Sequence, residues 1–250
     1  MKYPNRLIEE GEQDAKIVKA IQKKLMELHI GDLQGTGVYG KKTVNAVKLF
    51  QATHMDQNGN PLEIDGKVGS LTWAALFGIE NIVVTDAAPN ILLTETLKVA
   101  ITQIGIMEDP PGSNKGPQVN AYLASVGLPP GLFWCAAFVY WCFDKAAVNI
   151  GKTNPLVKTG HVMTHWNKTT GKKITTNEAV NKPSLIKPGH IFILNTGGSA
   201  GHTGIVEKVE GGIIHTIEGN SNNSGSRNGI GVFRLQRKIA KINRGFIEYK

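Results

Sequence analysis

Trp134-Cys135-Ala136-Ala137-Phe138-Val139-Tyr140-Trp141-Cys142-Phe143 is apolar all round. Its length and its alanines favour a buried helix over a strand. The Pro129-Pro130-Gly131 turn ends the element before it, so the helix is expected to begin at Cys135. From Lys187 onward the pattern changes. Residues 190–194, 203–209, 212–217, 230–235 and 245–249 are short β-rich runs between glycine turns. Helices first and antiparallel strands after predict an α+β domain. Its entry is a helix with Leu97, Ile101 and Ile104 on one face, which Thr94 can cap, and a shorter helix carrying Val119, Tyr122 and Leu123.

Further toward the N-terminus, residues 78–92 hold Gly78, Asp86, Ala87, Ala88, Pro89 and Asn90 and read as a linker. Before it lies a repeat: residues 37–47 and 66–76 share the pattern G-x-x-G-x-x-T-x-x-A-[VL]. Each copy starts on a glycine turn and runs into a short helix. Ile17, Ile21, Leu25 and Leu28 recur at helical spacing ahead of the first copy, and Val44, Val47 and Phe50 form the stripe within it. The sum is a small three-helix unit over about residues 14–77. Gly35-x-x-x-x-Gly40-Lys41 imitates a phosphate-binding loop, but Lys42 stands where a magnesium-binding Ser or Thr is required. Trp73 reads as a core residue rather than a sugar-stacking platform.

The chain has 250 residues, 41% hydrophobic and 19% charged, which suits one or two globular domains and excludes a disordered or collagen-like chain. No apolar run approaches the ~18 residues of a membrane span, and the first residues lack the apolar region of a secretory signal. The expectation is synthesis in the cytoplasm without a signal peptide. The net charge of +8 and pI near 9.4 favour anionic partners, but no nucleic-acid motif is visible. Cys135 and Cys142 on one helix are about 10 Å apart, too far to bridge, so free thiols are expected.

Cys135 at a helix N-terminus is a candidate nucleophile, because unpaired backbone N–H groups and the helix dipole there favour an anionic sulfur. Cys142, two turns into the helix, reads as a core residue. His202 in Gly201-His202-Thr203-Gly204-Ile205-Val206 opens a strand among small residues, and Glu218 and Asn220 return beside it through a glycine turn. A base oriented by a third group is what nucleophilic catalysis needs. A three-residue loop 210–212, with Gly212 left-handed, sets Gly204 opposite Glu218 and His202 opposite Asn220 on one face; a two-residue loop turns the pair away. Glu218 is the preferred partner of His202, since a carboxylate stabilises imidazolium better than an amide, and Asn220 is the second choice. His161 and His165 stand at i, i+4, a spacing zinc can use, but no third ligand is evident. No metal and no cofactor is expected. The glycine-rich stretch 219–231 reads as a surface loop at the cleft rim.

Two family resemblances follow from these motifs. Phe50-Gln51 and Asp65-Gly66-Lys67-Val68-Gly69-Ser70-Leu71-Thr72-Trp73 resemble the three-helix peptidoglycan-binding domains, which repeat D-G-x-x-G-x-x-T around an F-Q element. The first copy departs with Thr36 in place of Asp, and residues 54–63 lengthen the middle. Residues 93–250 resemble the CHAP family, the cysteine- and histidine-dependent amidohydrolases and peptidases. The match rests on Trp134–Val139, Gly201–Val206, Thr216-Ile217-Glu218-Gly219-Asn220 and Gln103-Ile104-Gly105-Ile106-Met107-Glu108. His190 departs, standing where the family usually has Asp after Pro-Gly.

These resemblances imply residues 1–80 as a peptidoglycan-binding domain, 81–92 as a linker and 93–250 as a papain-like α+β catalytic domain with an antiparallel sheet. They imply Cys135 as nucleophile, His202 as base, and Glu218 or Asn220 as the orienting residue. The implied function is a peptidoglycan amidase (such as an N-acetylmuramoyl-L-alanine amidase) or endopeptidase. It is expected to act at the bacterial cell wall after release as a phage endolysin or injection as an antibacterial effector. The expected partner is peptidoglycan, bound by a monomer, with an immunity protein as a further partner of an injected effector; nucleic acid and membrane insertion are not expected. The alternatives are a non-catalytic wall-binding protein with a degenerate enzyme domain, and a papain-like peptidase acting on a non-wall amide.

Overall fold

The structure is a computed structural model that describes residues 1–198, 200–222 and 229–250. The chain divides into two compact units: Met1–Val84 with Val180–Ser184 and Glu210–Gly212, and Thr85–Ala179 with Leu185–Val209 and Ile213–Lys250. The whole is α+β.

The first unit is built on α1 (Ala15–Glu27), α2 (Lys41–Thr53) and α3 (Ser70–Phe77). Val18, Ile21, Leu25, Val47, Phe50, Val68 and Trp73 form its buried centre. Asp14 starts α1 by accepting from the N–H groups of Lys16 and Ile17. The helix closes at Glu27, so Leu28, expected on the apolar stripe, is its cap and is exposed. Trp73 is fully buried beside Tyr3 and Phe77.

The repeat has a physical cause. The Gln22 amide accepts from Gly37 N–H (2.8 Å) and donates to Val38 C=O (3.0 Å) and Thr43 Oγ1 (3.0 Å). Gln51 does the same with Gly66 N–H (2.8 Å), Lys67 C=O (2.8 Å) and Thr72 Oγ1 (3.3 Å). Each buried glutamine thus ties one helix to the glycine turn and the next helix start, leaving no amide group unmade. Thr36 takes the place of Asp65: its hydroxyl accepts from Val38 N–H (3.3 Å), as Asp65 accepts from Lys67 N–H (2.9 Å). The departure in the first copy therefore keeps the turn-closing acceptor. Residues 81–92 include buried Ile82 and a two-residue strand, β1 (Val84–Thr85).

The second unit opens with α4 (Ile91–Thr102). Asn90, not Thr94, is its N-cap, accepting from Leu93 N–H at 2.9 Å, because the helix starts four residues earlier than a Thr94 cap would set it. Next come α5 (Pro117–Ser125) and α6 (Cys135–Asn149), which packs on α4 and α5. After α6 come α7 (Val162–Lys168), β2 (Lys172–Ile174) and α8 (Thr176–Asn181). The remaining strands are β3 (Ile191–Gly197), β4 (Ala200–Glu210), β5 (Ile213–Ser221), β6 (Gly231–Lys238) and β7 (Gly245–Glu248). Their sheet order is β2-β7-β3-β4-β5-β6, with β2/β7, β7/β3, β3/β4 and β5/β6 antiparallel. Of the stretch 219–231 expected to be a loop, residues 219–221 instead close β5 and Gly231 opens β6, and residues 223–228 lie outside the described residues.

Alternation along the strands sorts the side chains. Ile191, Ile193, Ile205 and Ile217 join the apolar core with Phe138, Val139 and Cys142 of α6. Phe192, His202, Gly204 and Glu218 fall on the alternate positions. The left-handed residue of the β4–β5 turn is Gly211 (φ +60°), not Gly212 as expected from the sequence. Gly204 nonetheless faces Glu218: a Cβ there would lie 2.8 Å from Glu218 Cγ and 2.8 Å from Phe192 Cε1.

Gly219 lets α6 lie directly on β5, since a Cβ there would meet Phe138 at 2.6 Å and Trp134 at 2.7 Å. Overpacking of this kind costs about 1–3 kcal/mol. Gly219→Ala is therefore expected to lower Tm by about 2–10 °C in a scanning-calorimetry comparison with the wild type. An unchanged Tm would show that α6 can move off β5 freely.

Candidate active site

The N-terminus of α6 is fixed by a buried polar cluster. Trp134, its N-cap, donates its backbone N–H to Asn220 Oδ1 (3.3 Å) and its indole N–H to Glu108 Oε1 (2.9 Å). Glu108 also accepts from Asn114 N–H (2.9 Å), and the Asn220 amide donates to Asn114 Oδ1 (3.0 Å) and Gly229 C=O (3.2 Å). Asn220 adopts φ +53°, a conformation asparagine tolerates better than most residues. The helix start that carries Cys135 is thereby held from the segment between α4 and α5 and from the end of β5, and its first N–H groups have no intrahelical partner.

His202 and Glu218 meet. His202 Nε2 lies 2.7 Å from Glu218 Oε2, and both side chains are almost wholly buried. Glu218 also accepts from Thr216 Oγ1 (2.6 Å), from Arg237 Nε on Oε1 (2.6 Å) and from Arg237 Nη2 on Oε2 (2.6 Å). Burial opposes ionisation of Glu218, but the bonds from Arg237 and His202 outweigh it and hold the carboxyl well below the usual range. Burial likewise disfavours the charged form of His202, yet the neighbouring Cys135 and Glu218 more than offset it and push the imidazole up. His202 Nδ1 is buried without a hydrogen-bond partner, so it is the nitrogen left for the Cys135 thiol. The thiol stands near enough to act on the imidazole without completing a hydrogen bond, as often holds before substrate tightens a site.

Of the four residues picked out by sequence, His202 and Glu218 bond directly, and Cys135 stands beside the imidazole. Asn220 does not bond the imidazole; it holds the N-cap of α6 and lines the cleft. That cleft, about 280 Å³, is bounded by Phe133, Cys135, His161, Val162, Gly201 and Asn220. His161 caps α7 at its rim, whereas His165 turns inward to the Tyr249 hydroxyl (2.7 Å), and burial lowers it to about 4. The i, i+4 pair therefore does not converge, and among the described residues no group of three or more His, Cys, Asp or Glu is placed to hold a metal. His190 is buried, accepts from Lys187 N–H at Nδ1 (3.3 Å), and is lowered to about 4 by burial. Arg237, Thr216 and the anchoring role of Glu108 were not read from the sequence.

A thiol at a helix N-terminus, an imidazole beside it and a clamped carboxylate behind are the parts of a cysteine-type acyl-transfer centre. Residues 127–220 match the CHAP domain family, and residues 14–76 match the family described as "Putative peptidoglycan binding domain". The chain thus joins a peptidoglycan-binding-type domain to a CHAP domain, a combination that supports a cell-wall hydrolase. A solved structure, that of the resuscitation promoting factor interacting protein RipA mutated at H432, is similar at 16% identity. The similarity covers 88% of this chain and 89% of that one with a TM-score of 0.36, too low to carry an argument. No curated protein matches the chain significantly. No helix among the described residues is long and apolar enough to cross a membrane.

Proposed function

We propose that the chain is a peptidoglycan amidase or endopeptidase that cuts amide bonds in the peptide part of the cell wall through Cys135. The observation that carries this reading is the Glu218–His202 bond at Nε2, which leaves buried Nδ1 free beside a thiol that lines an open cleft. His202 accepts the thiol proton at Nδ1, and Glu218 stabilises the imidazolium that results. The sulfur attacks the amide carbonyl, and the tetrahedral oxyanion forms where the first N–H groups of α6 point. His202 then gives its proton to the leaving amine. Water, deprotonated by the same imidazole, hydrolyses the thioester and regenerates the thiol. Every proton in this cycle passes through one ring, so no metal enters it.

The domain assignment is part of the proposal: residues 1–80 hold the enzyme on the wall, and 93–250 carry the chemistry. The protein acts as a monomer on peptidoglycan. Loss of turbidity of purified cell walls, followed by mass spectrometry of the released muropeptides, tests the activity and names the bond. Intact protein that releases no new amine from walls would remove the reading. Residues 1–85 alone are expected to sediment with insoluble peptidoglycan, and residues 90–250 to stay in solution while keeping the chemistry. An N-terminal piece left wholly in the supernatant would remove the anchoring role.

A further inference from the structure

Behind the histidine stands a group the reaction scheme does not use. Arg237 lies on β6 opposite Ile214 of β5, four residues from Glu218 along that strand. Its guanidinium reaches back along the strand pair to take both carboxylate oxygens of Glu218 at 2.6 Å. On its other side it lies over the Phe192 ring at 5.3 Å. Gly204 makes room for this stack, since a Cβ there would strike both Glu218 and Phe192. The groups facing Glu218 are therefore His202 from β4, Thr216 from its own strand and Arg237 from β6.

Resting on the proposed role of the Cys135–His202 pair, we propose that Arg237 is a positioning residue for the reaction. Its planar fork fixes the Glu218 carboxylate in the one orientation that offers Oε2 to His202 Nε2, and keeps it anionic there.

The geometry excludes a simpler role. A carboxylate this buried has two ways to relieve its charge: take up a proton, or accept enough hydrogen bonds. Protonated, it turns one oxygen into a donor and cannot serve the imidazolium on Oε2 with a full charge. The guanidinium closes that route, because among the bonds to Glu218 those from Arg237 oppose burial most strongly. An ammonium supplies charge but no fork, so a lysine here holds the charge without the orientation. The arginine stays off the reacting atoms and acts only through Glu218.

The test uses the full chain and two readouts, wall lysis and the rate at which iodoacetamide alkylates Cys135, each followed against pH. The alkylation readout needs no substrate, so it separates this proposal from the choice of substrate. Arg237→Met is expected to lower kcat by about 100-fold with KM changed less than about twofold, the mark of an oriented group lost. Its acid limb is expected to move to higher pH by about one unit in both readouts, because burial of Glu218 is then opposed by His202 without Arg237. Arg237→Lys is expected to restore the acid limb but not the rate. In a Glu218→Gln background, Arg237→Met is expected to add less than about threefold.

An Arg237→Met enzyme with the wild-type acid limb, or one that loses as much in the Glu218→Gln background, overturns the proposal. Should Arg237→Met lose its circular-dichroism signature, Arg237→Lys decides: a wild-type rate overturns the clamp, and a slowed rate with the wild-type acid limb supports it. Walls left intact while the alkylation profile still shifts would sink the substrate reading and uphold the clamp. A Cys135 that alkylates no faster than Cys142 in the wild type sinks both.

Discussion

Cys135→Ala is expected to abolish wall lysis, a fall of at least about a thousandfold, while Cys142→Ala keeps most of the wild-type rate. The two thiols share one helix and differ in everything that reactivity needs. Cys135 opens α6, lines the cleft and stands beside His202. Cys142 is fully buried, and burial pushes its thiol well up, away from the anionic form that attacks carbonyls. Its neighbours are core side chains, so truncation to alanine removes only a sulfur-sized volume and costs stability rather than chemistry. Turbidity of a cell-wall suspension reads both variants, and a folded Cys135→Ala with calorimetric Tm near the wild type shows that the loss is chemical. An inactive Cys142→Ala beside an active Cys135→Ala would reverse the assignment.

What could be read without coordinates follows from periodicity. The all-apolar run 134–143 reads as a buried helix, and α6 is that helix, with Tyr140 and Trp141 half-buried. The β-rich runs after Lys187 stand out because glycines punctuate them, and each lies on one of the strands β3 to β7. The short elements α7, β2 and α8 carry too few residues to show a period. The repeat announced the glycine turns and the F-Q element carried Gln51, but Gln22, which builds the first turn, lies in the helix before the quoted pattern. Arg237 was hidden for a different reason. Its distance from Glu218 in the chain says nothing until β5 and β6 pair, and the pairing register then brings it diagonally onto the carboxylate. The anchoring role of Glu108 is hidden likewise, because its partners Trp134 and Asn220 lie far along the chain and no spacing links them.

Glu218→Gln is expected to lower kcat by about 10²–10⁴-fold, on the scale seen when a base loses the charged group that orients it. The amide matches the carboxylate in size and can still accept from one imidazole nitrogen. It lacks the charge that stabilises imidazolium, and its own NH2 group meets the donors of Arg237 at one of the two oxygens they now share. The same substitution is expected to change how stability varies with pH. Glu218 is held at about 2, below the ~4.3 of an unfolded glutamate, so its contribution is present above ~4.3 and is lost as pH falls toward the lower value. His202 is held at about 9, above the ~6.5 of an unfolded histidine, so its contribution is full below ~6.5 and is lost as pH rises through the higher value. Both act together between those limits, and the wild-type Tm is expected to peak there. In Glu218→Gln the acid arm has no carboxyl to titrate and the alkaline arm keeps only the pull of Cys135, so the peak flattens on both sides. Calorimetry across that range reads the difference, and a variant with the wild-type peak and rate would show that the Glu218–His202 bond is a packing contact without electrostatic consequence.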